Sequence, residues 1–392
     1  MKIAILGRET NLCRAEIEAL SSNVAHLCDD VSLFEDTQDI PIDRTGGIIK
    51  LAQVAADQSI SSVNGITSQI ENIIYKVLTT HKLNRKVSFG ISLYGDKSAI
   101  NKLHAGKLGL NLKKTLTRAG ISCRYVAPKN GPALSAAQVI FNNLLGPETK
   151  GFDFVCVLTD NRLIIGFSTA VQNIISYTKR DRERPCRDMV VGMLPPKLAQ
   201  IMINLARPKA GQMLVDPFCG SGVVLQEALL LGFDVVGSDL SSKMVSCSQK
   251  NLAWLQANYD ISKRFQVSKA DATELTTLPK NCAIVSEGYL GKPLSAPINE
   301  YELEPTKDEL ARLYIDFLKN LATLESSPQK VVLSLPVWRT KSKILTLGII
   351  DQIHELGYTL EQFGSSDGQD LIYLRDKQTV GRQVLVLHRK AI

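Results

Sequence analysis

From residue 190 onward, short apolar segments alternate with longer amphipathic ones. The predicted strands are 212–216, 234–238, 265–270, 283–286 and 331–335. Helical periodicity fills the stretches between them, as at 223–231 and 241–258. Strands separated by helices indicate an α/β fold with a doubly wound, mostly parallel sheet, because a parallel neighbour needs a crossover connection. Two last apolar segments, 371–374 and 383–388, predict a terminal antiparallel hairpin.

The turn after the first of these strands reads Asp216-Pro-Phe-Cys-Gly-Ser-Gly222. Small residues between a strand and a helix let the backbone approach a ligand closely. A phosphate loop does not fit the chain, since its nearest match, 90–98, is interrupted by Asp96. A dinucleotide fingerprint does not fit either, because Leu225 stands where the third glycine belongs. S-adenosylmethionine fits best, because it is a cation without phosphate and Asp216 would attract it.

Two further carboxylates follow at the ends of the next two strands. Asp239 can accept hydrogen bonds from ribose hydroxyls, and Asp271 can accept one from an adenine amino group. The carboxyl ends of parallel strands line one crevice, so the three acids are expected to meet there. Each acid alone would also suit a helix cap or a turn. Their combination with the glycine turn predicts a cofactor site.

The charge is unevenly distributed along the chain. Residues 1–75 carry a net charge of −6, residues 76–210 a net charge of +15, and residues 211–392 a net charge of −2. A basic block of this kind is typical of a surface that binds phosphates, although a solubilising surface is the plainer alternative. The imbalance of signs favours a polyanionic partner.

Cysteine, histidine and hydropathy exclude several other classes of protein. The eight cysteines form no C-x-x-C pair and are expected to be reduced thiols of a cytoplasmic protein. The five histidines form no close pair, so no metal site is predicted. The apolar segments are too short for a membrane span, and residues 3–6 are too few for a secretory signal.

Composition and pattern divide the chain into four parts. Residues 1–80 are expected to form a small ferredoxin-like α/β unit. Residues 81–175 form a basic α/β unit, in which a long helix over 99–119 carries five cations: Lys102, Lys107, Lys113, Lys114 and Arg118. The charged, proline-broken stretch 176–190 is predicted to be a connector. The doubly wound domain then occupies 191–392.

Two segments resemble a known family. The turn at 216–222 resembles motif I of class I methyltransferases that modify amino groups of nucleic-acid bases. The preceding Gly-Met-Leu-Pro-Pro-Lys-Leu-Ala-Gln, 192–200, resembles the corresponding segment of THUMP-domain RNA methyltransferases, especially the tRNA guanosine-10 N2-methyltransferase group. The order of a small unit, a basic unit and a catalytic domain is similar to that family's layout.

The sequence departs from that family after the fourth strand of the last domain. The family has Asp/Asn-Pro-Pro-Tyr/Phe there, in which a polar side chain holds the target amine and the aromatic ring stacks on the base. This chain has Ser286-Glu-Gly-Tyr-Leu-Gly291. Tyr289 fits the stacking position, and Glu287 is predicted to accept a hydrogen bond from the amine and take its proton. Ser286, which stands where Asp or Asn belongs, is the competing acceptor.

The resemblance implies a Rossmann-like methyltransferase that uses S-adenosylmethionine to methylate guanine N2 in tRNA. The basic unit would bind the RNA, and no membrane is involved. The expected cofactor-binding residues are Pro195, Asp216, Phe218, Gly220, Gly222, Asp239, Leu240, Asp271 and Ala272. The expected catalytic residues are Glu287, Tyr289 and Ser286. Two alternatives remain open at this point, namely a DNA amino-methyltransferase and a non-catalytic protein that binds S-adenosylmethionine or RNA.

Overall fold

The computed structural model describes the chain except residues 37–38, 61–64, 82–85, 150, 188–192, 293, 295–298, 325–327, 329, 377 and 390–392. The chain divides into two compact units. The first contains Met1–Thr10, Ser21–Asp43 and Ile48–Ile174, and the second contains Asn11–Leu20, Arg44–Gly47 and Ile175–Ile392.

The first unit is built on one twisted sheet with helices packed against it. Its strands are β1 (Lys2–Leu6), β2 (Val24–Cys28), β3 (Val31–Phe34), β4 (Ile48–Ser59), β5 (Val87–Gly95), β6 (Cys123–Val126), β7 (Leu145–Gly146), β8 (Gly151–Leu158) and β9 (Arg162–Val171). The order across the sheet is β2-β3-β1-β4-β9-β8-β5-β6, and β7 pairs with β8. Strands from both predicted small domains share this sheet. The division at residue 80 stays a prediction.

The helices of the first unit each bury an apolar face. They are α2 (Ile66–Thr80), α3 (Lys97–Leu103), α4 (Ala105–Arg118) and α5 (Ala136–Phe141). The single long helix predicted over 99–119 is wrong, because His104 adopts a left-handed conformation (φ 46°) and separates α3 from α4. Leu108, Leu112 and Leu116 of α4 are buried, at the i, i+4, i+8 spacing of one helix face.

A charged pair lies inside the first unit. Lys50 donates to Asp153 Oδ2 at 2.8 Å, and both side chains are almost completely buried. Ser92 and Ser168 donate to the same carboxylate at 2.7 and 2.8 Å. The pair is therefore satisfied by further hydrogen bonds, which is the condition under which a buried ion pair is tolerated.

The second unit is the predicted doubly wound domain. Its strands are β10 (Met213–Asp216), β11 (Val235–Asp239), β12 (Phe265–Lys269), β13 (Cys282–Glu287), β14 (Lys330–Arg339), β15 (Ile344–Leu345), β16 (Tyr358–Leu360), β17 (Ile372–Tyr373) and β18 (Val380–Arg389). The order is β12-β11-β10-β13-β14-β18-β16, and the first five strands are parallel. The predicted hairpin is confirmed, since β17 pairs antiparallel with β18. In addition, β18 lies antiparallel between β14 and β16.

Helices cover both faces of this sheet. They are α1 (Thr10–Leu20), α6 (Ile174–Arg182), α7 (Pro196–Ala206), α8 (Val223–Leu230), α9 (Ser242–Asn258), α10 (Glu300–Thr323) and α11 (Ile350–Glu355). One core combines residues of α1, α7, α8 and α9 with the sheet, and the other combines α10 and α11 with it. Because the central strands are buried on both faces, their sequences are continuous apolar runs and do not alternate between apolar and polar residues.

The connector predicted over 176–190 stays a prediction, whereas the predicted cysteine state differs from the structure. Part of 176–190 belongs to helix α6, where Arg180 is buried and forms a salt bridge with Glu227 at 2.8 Å. The charges therefore have a partner inside the unit, which the local sequence does not reveal. Cys186 and Cys247 form a disulfide across 61 residues. The expectation that all eight cysteines are reduced is wrong, because the fold joins two that are distant in sequence.

Within the described ranges, no helix combines the length and apolar character that a bilayer crossing requires.

Candidate active site

The candidate site lies where the strand order of the second unit reverses, between β10 and β13. Successive crossovers leave this point in opposite directions, so a crevice opens outside the carboxyl ends of the strands. Asp216 ends β10, Asp239 ends β11 and Glu287 ends β13. The topology thus brings together carboxylates that are up to 71 positions apart in sequence.

A cavity of about 680 Å³ occupies this crevice. Eight of the predicted site residues line it, namely Phe218, Gly220, Asp239, Leu240, Asp271, Ala272, Glu287 and Tyr289. Leu240 is 65% exposed and leaves an apolar surface available to a ligand. The cavity therefore joins the predicted cofactor residues to the predicted catalytic ones.

A smaller cavity of about 90 Å³ adjoins the large one, since both are lined by Phe218, Gly220, Met244 and Glu287. Asp216 lines the small cavity. The arrangement resembles a main chamber with a narrow extension that reaches the buried end of β10.

Asp216 is a buried carboxyl group, and none of the described groups that shift its pKa is a cation. Its Oδ1 accepts hydrogen bonds from the Ser286 hydroxyl at 2.5 Å and from the Phe218 backbone N–H at 3.2 Å. Burial raises the pKa of Asp216 to about 8, the two hydrogen bonds oppose this, and the negative charges of Glu287 and Asp239 add to it. A cation placed in the small cavity would stabilise the ionised form.

Asp239 and Asp271 are anchored to the backbone beside the large cavity. Asp239 accepts from the Gly220 N–H through Oδ2 at 2.9 Å and from the Ser241 N–H through Oδ1 at 2.8 Å. Asp271 Oδ1 accepts from the N–H and the hydroxyl of Thr273 at 2.8 and 2.7 Å. These bonds fix the direction of both carboxylates, and each carboxylate keeps acceptor capacity for a ligand, on both oxygens of Asp239 and on Oδ2 of Asp271.

The two glycines of the turn serve different purposes. Gly220 has a φ of 50°, and a Cβ built on it would meet nothing closer than 4.0 Å, so the space beside it is open. Gly222 has a φ of 84°, and its Cβ would lie 2.4 Å from Ser248 Oγ on α9. Gly222 therefore permits helix packing, whereas Gly220 faces the cavity.

Glu287 is paired with a residue that the sequence analysis missed. Arg382 on β18 donates from Nε to Glu287 Oε1 across a separation of 95 residues. The Arg382 side chain is 4% exposed and that of Glu287 is 19% exposed. Burial raises the pKa of Glu287, and the guanidinium of Arg382 opposes the shift. No sequence signal links the two positions, because they come together only through the antiparallel strand.

The loop after Glu287 is held by a buried tyrosine of α10. The Tyr314 hydroxyl donates to the Tyr289 carbonyl at 2.6 Å. A Cβ on Gly288 would lie 2.3 Å from the Tyr314 ring, so only glycine fits there. Tyr289 itself is 43% exposed on the wall of the large cavity.

Three predicted site residues do not line either cavity among the residues described. Pro195 is the N-cap of α7, and its carbonyl accepts from Leu198 and Ala199. Gly222 packs against α9. Ser286 is fully buried and donates to Asp216, so it lies beneath the cavity and does not line it. The position of Ser286 favours Glu287 over Ser286 as the acceptor of a substrate amine.

The charges of the large cavity indicate which cofactors it can accept. Three carboxylates, Asp239, Asp271 and Glu287, line it with a single lysine, Lys243. A phosphate-bearing cofactor would be repelled by this set. A cationic nucleoside such as S-adenosylmethionine fits it, with Asp239 and Asp271 available to its hydroxyl and amino groups and Asp216 to its positive charge.

Asp216 predicts a pH dependence of stability. Its folded pKa of about 8 exceeds the ordinary 3.8, so the folded state holds a proton that the unfolded state has released between these values. Stability should therefore fall as pH rises through this window, by on the order of 1 kcal/mol per pH unit from this group. We expect Asp216→Asn to remove this slope. Chemical denaturation of both proteins between pH 5 and pH 8 measures it, and parallel curves for the two would refute the assignment.

A protein-family model matches the part of the chain that contains most of the candidate site. Residues 184–297 match the family model of the RMKL-like methyltransferase domain. Over 136 residues the chain is 38% identical to tRNA (guanine(10)-N2)-dimethyltransferase of Methanothermobacter thermautotrophicus, covering 34% of this chain and 38% of that protein. Over 185 residues it is 29% identical to the enzyme of that name from Methanocaldococcus jannaschii, covering 45% and 50%. The matched segments thus span half or less of these relatives.

Solved structures resemble the chain over its full length at low identity. TrmN from Thermus thermophilus aligns with a TM-score of 0.53 and 17% identity, covering 99% of both chains. A possible methylase from Clostridium difficile 630 aligns with a TM-score of 0.51 and 14% identity, covering 100% of this chain and 98% of the other. The second unit of this protein therefore has the Rossmann-like α/β fold of S-adenosylmethionine-dependent methyltransferases.

Proposed function

We propose that this protein is an S-adenosylmethionine-dependent methyltransferase that acts on an exocyclic amine of an RNA base, namely N2 of guanine in tRNA. One observation carries the proposal: a single cavity joins Asp239 and Asp271 to Glu287 and Tyr289. The similarity of part of the chain to tRNA (guanine(10)-N2)-dimethyltransferases supports the choice of tRNA and of guanine.

The cofactor would be held by residues at the ends of β10, β11 and β12. Asp239 would accept from the ribose hydroxyls, Asp271 from the adenine amino group, and Asp216 would face the positive charge. Phe218, Leu240 and Ala272 would provide apolar contacts. S-adenosylmethionine, when bound, supplies an electrophilic methyl group.

The substrate base would be held by the loop at the end of β13. An exocyclic amine is a poor nucleophile, because its lone pair is delocalised into the ring. Glu287 would accept one N–H of the amine and receive the proton that the amine loses on methylation, while the S–CH3 bond of the sulfonium breaks and leaves a neutral thioether. Tyr289 would stack on the base once the base is turned out of its helical stack. In this scheme, positioning contributes most of the rate enhancement.

Residues 81–175 would bind the RNA as a THUMP-like domain. We define the basic helix surface as Lys102, Lys107, Lys113, Lys114 and Arg118 of α3 and α4. All five side chains are exposed, and none forms a salt bridge with another described residue. Unpaired cations of this kind release counterions from a phosphate backbone when they bind it. Structured RNA is recognised mainly through its shape and backbone, which suits such a surface.

The proposed function is tested by methyl transfer from labelled S-adenosylmethionine to bulk tRNA, followed by mass spectrometry of the nucleosides. We expect methylated guanosine carrying one or two methyl groups at N2. Methylation of DNA in place of RNA would replace the proposal with a DNA amino-methyltransferase. Absence of transfer to any nucleic acid, with cofactor binding intact, would favour a non-catalytic protein.

Asp239 provides a test of the cofactor site. Replacing it by alanine removes the acceptor for the ribose hydroxyls and the anchor of the Gly220 N–H. We expect cofactor affinity to fall by roughly 1–3 kcal/mol, the cost of losing charge-assisted hydrogen bonds. Isothermal titration calorimetry measures the loss of affinity. The matched control is Asp234→Ala, which removes an acid that is paired with the exposed Arg264. An unchanged affinity in Asp239→Ala would contradict the assignment.

A further inference from the structure

Glu287, in the altered Ser-Glu-Gly-Tyr motif, is paired with the buried Arg382. Arg382 lies on β18 opposite Pro336 of β14, and its side chain is almost fully buried. It donates to Oε1 of Glu287, while Glu287 lines both cavities. A buried cation therefore supports the carboxylate that faces the substrate side of the site.

Among the described residues, three groups face Glu287: an acid, a neutral phenol and a cation. Asp216 approaches from β10, and each carboxylate disfavours ionisation of its neighbour. Tyr314 approaches from α10 as a neutral phenol, whose pKa is raised by burial and by the charge of Glu287. Arg382 from β18 is the cation in this described set. Without it, Glu287 would be a buried acid beside another acid, and such an acid takes up a proton.

We propose, on the basis of the proposed function, that Arg382 is a positioning residue that keeps Glu287 ionised, and that this ionised carboxylate makes the site select guanine. An ionised carboxylate has acceptors only, whereas a protonated acid or a carboxamide also has a donor. The protonation state of Glu287 therefore decides which base edge it can bind.

The three bases with exocyclic amines differ in the atom next to that amine. Guanine presents the N2 amine beside N1–H, so its edge offers two adjacent donors. Adenine presents the N6 amine beside the N1 lone pair, and cytosine presents the N4 amine beside the N3 lone pair. A carboxylate can accept from both guanine donors, but it meets a lone pair on the other two bases. Paired hydrogen bonds of this kind discriminate between bases by roughly 10- to 100-fold.

The ion pair is tested first without cofactor or RNA. Unfolding free energies are measured between pH 4 and pH 8 for the wild type, Arg382→Gln, Glu287→Gln and the double variant. Removing Arg382 leaves an unpaired buried carboxylate, so the destabilisation by Arg382→Gln should grow as pH rises above the raised folded-state pKa of Glu287 in the wild type. In the Glu287→Gln background this growth should vanish, and Arg382→Lys should restore part of the pairing. A cost of Arg382→Gln that is independent of pH and equal in both backgrounds would make Arg382 merely structural and overturn the proposal.

Base selection is then tested on the intact protein. Bulk tRNA is methylated with labelled S-adenosylmethionine, the modified position is mapped, and transcripts with guanine, adenine or cytosine at that position are compared. The wild type should prefer guanine by at least 10-fold. Glu287→Gln should lower transfer to guanine and reduce the preference at least 10-fold, because a carboxamide can donate to the ring nitrogen of adenine or cytosine. Glu309→Gln, an exposed glutamate of α10, is the matched control.

The outcomes separate this inference from the function on which it rests. Methylation of guanine with an unchanged preference in Glu287→Gln would refute the selection of guanine by the carboxylate and leave the proposed function intact. Failure of the wild type to methylate any RNA would refute the proposed function and the base selection together. The cofactor-free titration would still report whether Arg382 keeps Glu287 ionised.

Discussion

Replacing Glu287 by glutamine is expected to lower the single-turnover rate of methyl transfer to tRNA by roughly 10²- to 10⁴-fold, the usual contribution of a positioned general base. Glutamine retains a carbonyl oxygen that can accept one N–H, but it cannot take up the proton that the amine loses. The substitution also removes the negative charge that Arg382 contacts in the folded protein. The first effect acts on the amine and the second on Arg382, and neither lies at the ends of β11 and β12.

Cofactor affinity should consequently remain nearly unchanged in Glu287→Gln, because Asp239 and Asp271 keep their backbone anchors. Rapid-quench measurements with saturating cofactor give the rate, and calorimetry gives the affinity. Ser286→Ala separates this prediction from its competitor. Full activity of Glu287→Gln together with loss of activity in Ser286→Ala would assign the acceptor role to Ser286, which would require a hydroxyl now bonded to Asp216 to reach the substrate.

Neutralising three cations of α4 should weaken tRNA binding by at least roughly tenfold at low salt and flatten its salt dependence. Lys107, Lys114 and Arg118 follow the i, i+7, i+11 spacing of one helix stripe, on the side away from the buried Leu108, Leu112 and Leu116. If each contacts one phosphate, the triple substitution to glutamine should reduce the slope of log K against log salt by about 0.9 per contact.

Fluorescence anisotropy with labelled tRNA measures both the affinity and its salt dependence. The salt concentration is varied from about 50 to about 300 mM, on the order of the range in which counterion release dominates. A matched variant neutralises three exposed lysines of the second unit: Lys250, Lys280 and Lys319. Equal slopes for the wild type and the α4 variant, or an equal loss in the control variant, would show that the basic helix surface is not the RNA-binding site.

The doubly wound sheet could be predicted because its determinants are local. The apolar runs that became β10 to β14 are bounded by polar turns, and the stretches between them have helical periodicity. Parallel strands of alternating α/β units have few possible arrangements, since the crossovers are right-handed and loops do not cross. For the same reason, the sequence alone predicts that acids at the ends of parallel strands lie close together.

Prediction from local sequence patterns was wrong where the backbone departs from regular helix geometry and no proline or glycine stands at the break. His104 interrupts the helix predicted over 99–119 by adopting a positive φ, a conformation that is uncommon for a residue with a side chain. The highly charged stretch around Arg180 reads as a connector, because its compensating charge, Glu227, lies 47 residues away. At His104 the fold outweighed the local helical pattern, whereas the connector stays a prediction.

The glycine turn, the strand-end acids and the altered Ser-Glu-Gly-Tyr motif can be recognised in the sequence alone, because each depends on residues that are neighbours in the chain or on the regular spacing of strands and helices. Three contacts become visible only in the folded protein: Ser286 lies beneath Asp216, Arg382 supports Glu287 and Cys186 is joined to Cys247. These contacts join segments separated by 61 to 95 residues. Side-chain burial and pairing over such separations are set by the folded packing of the whole unit, and no spacing along the chain encodes them.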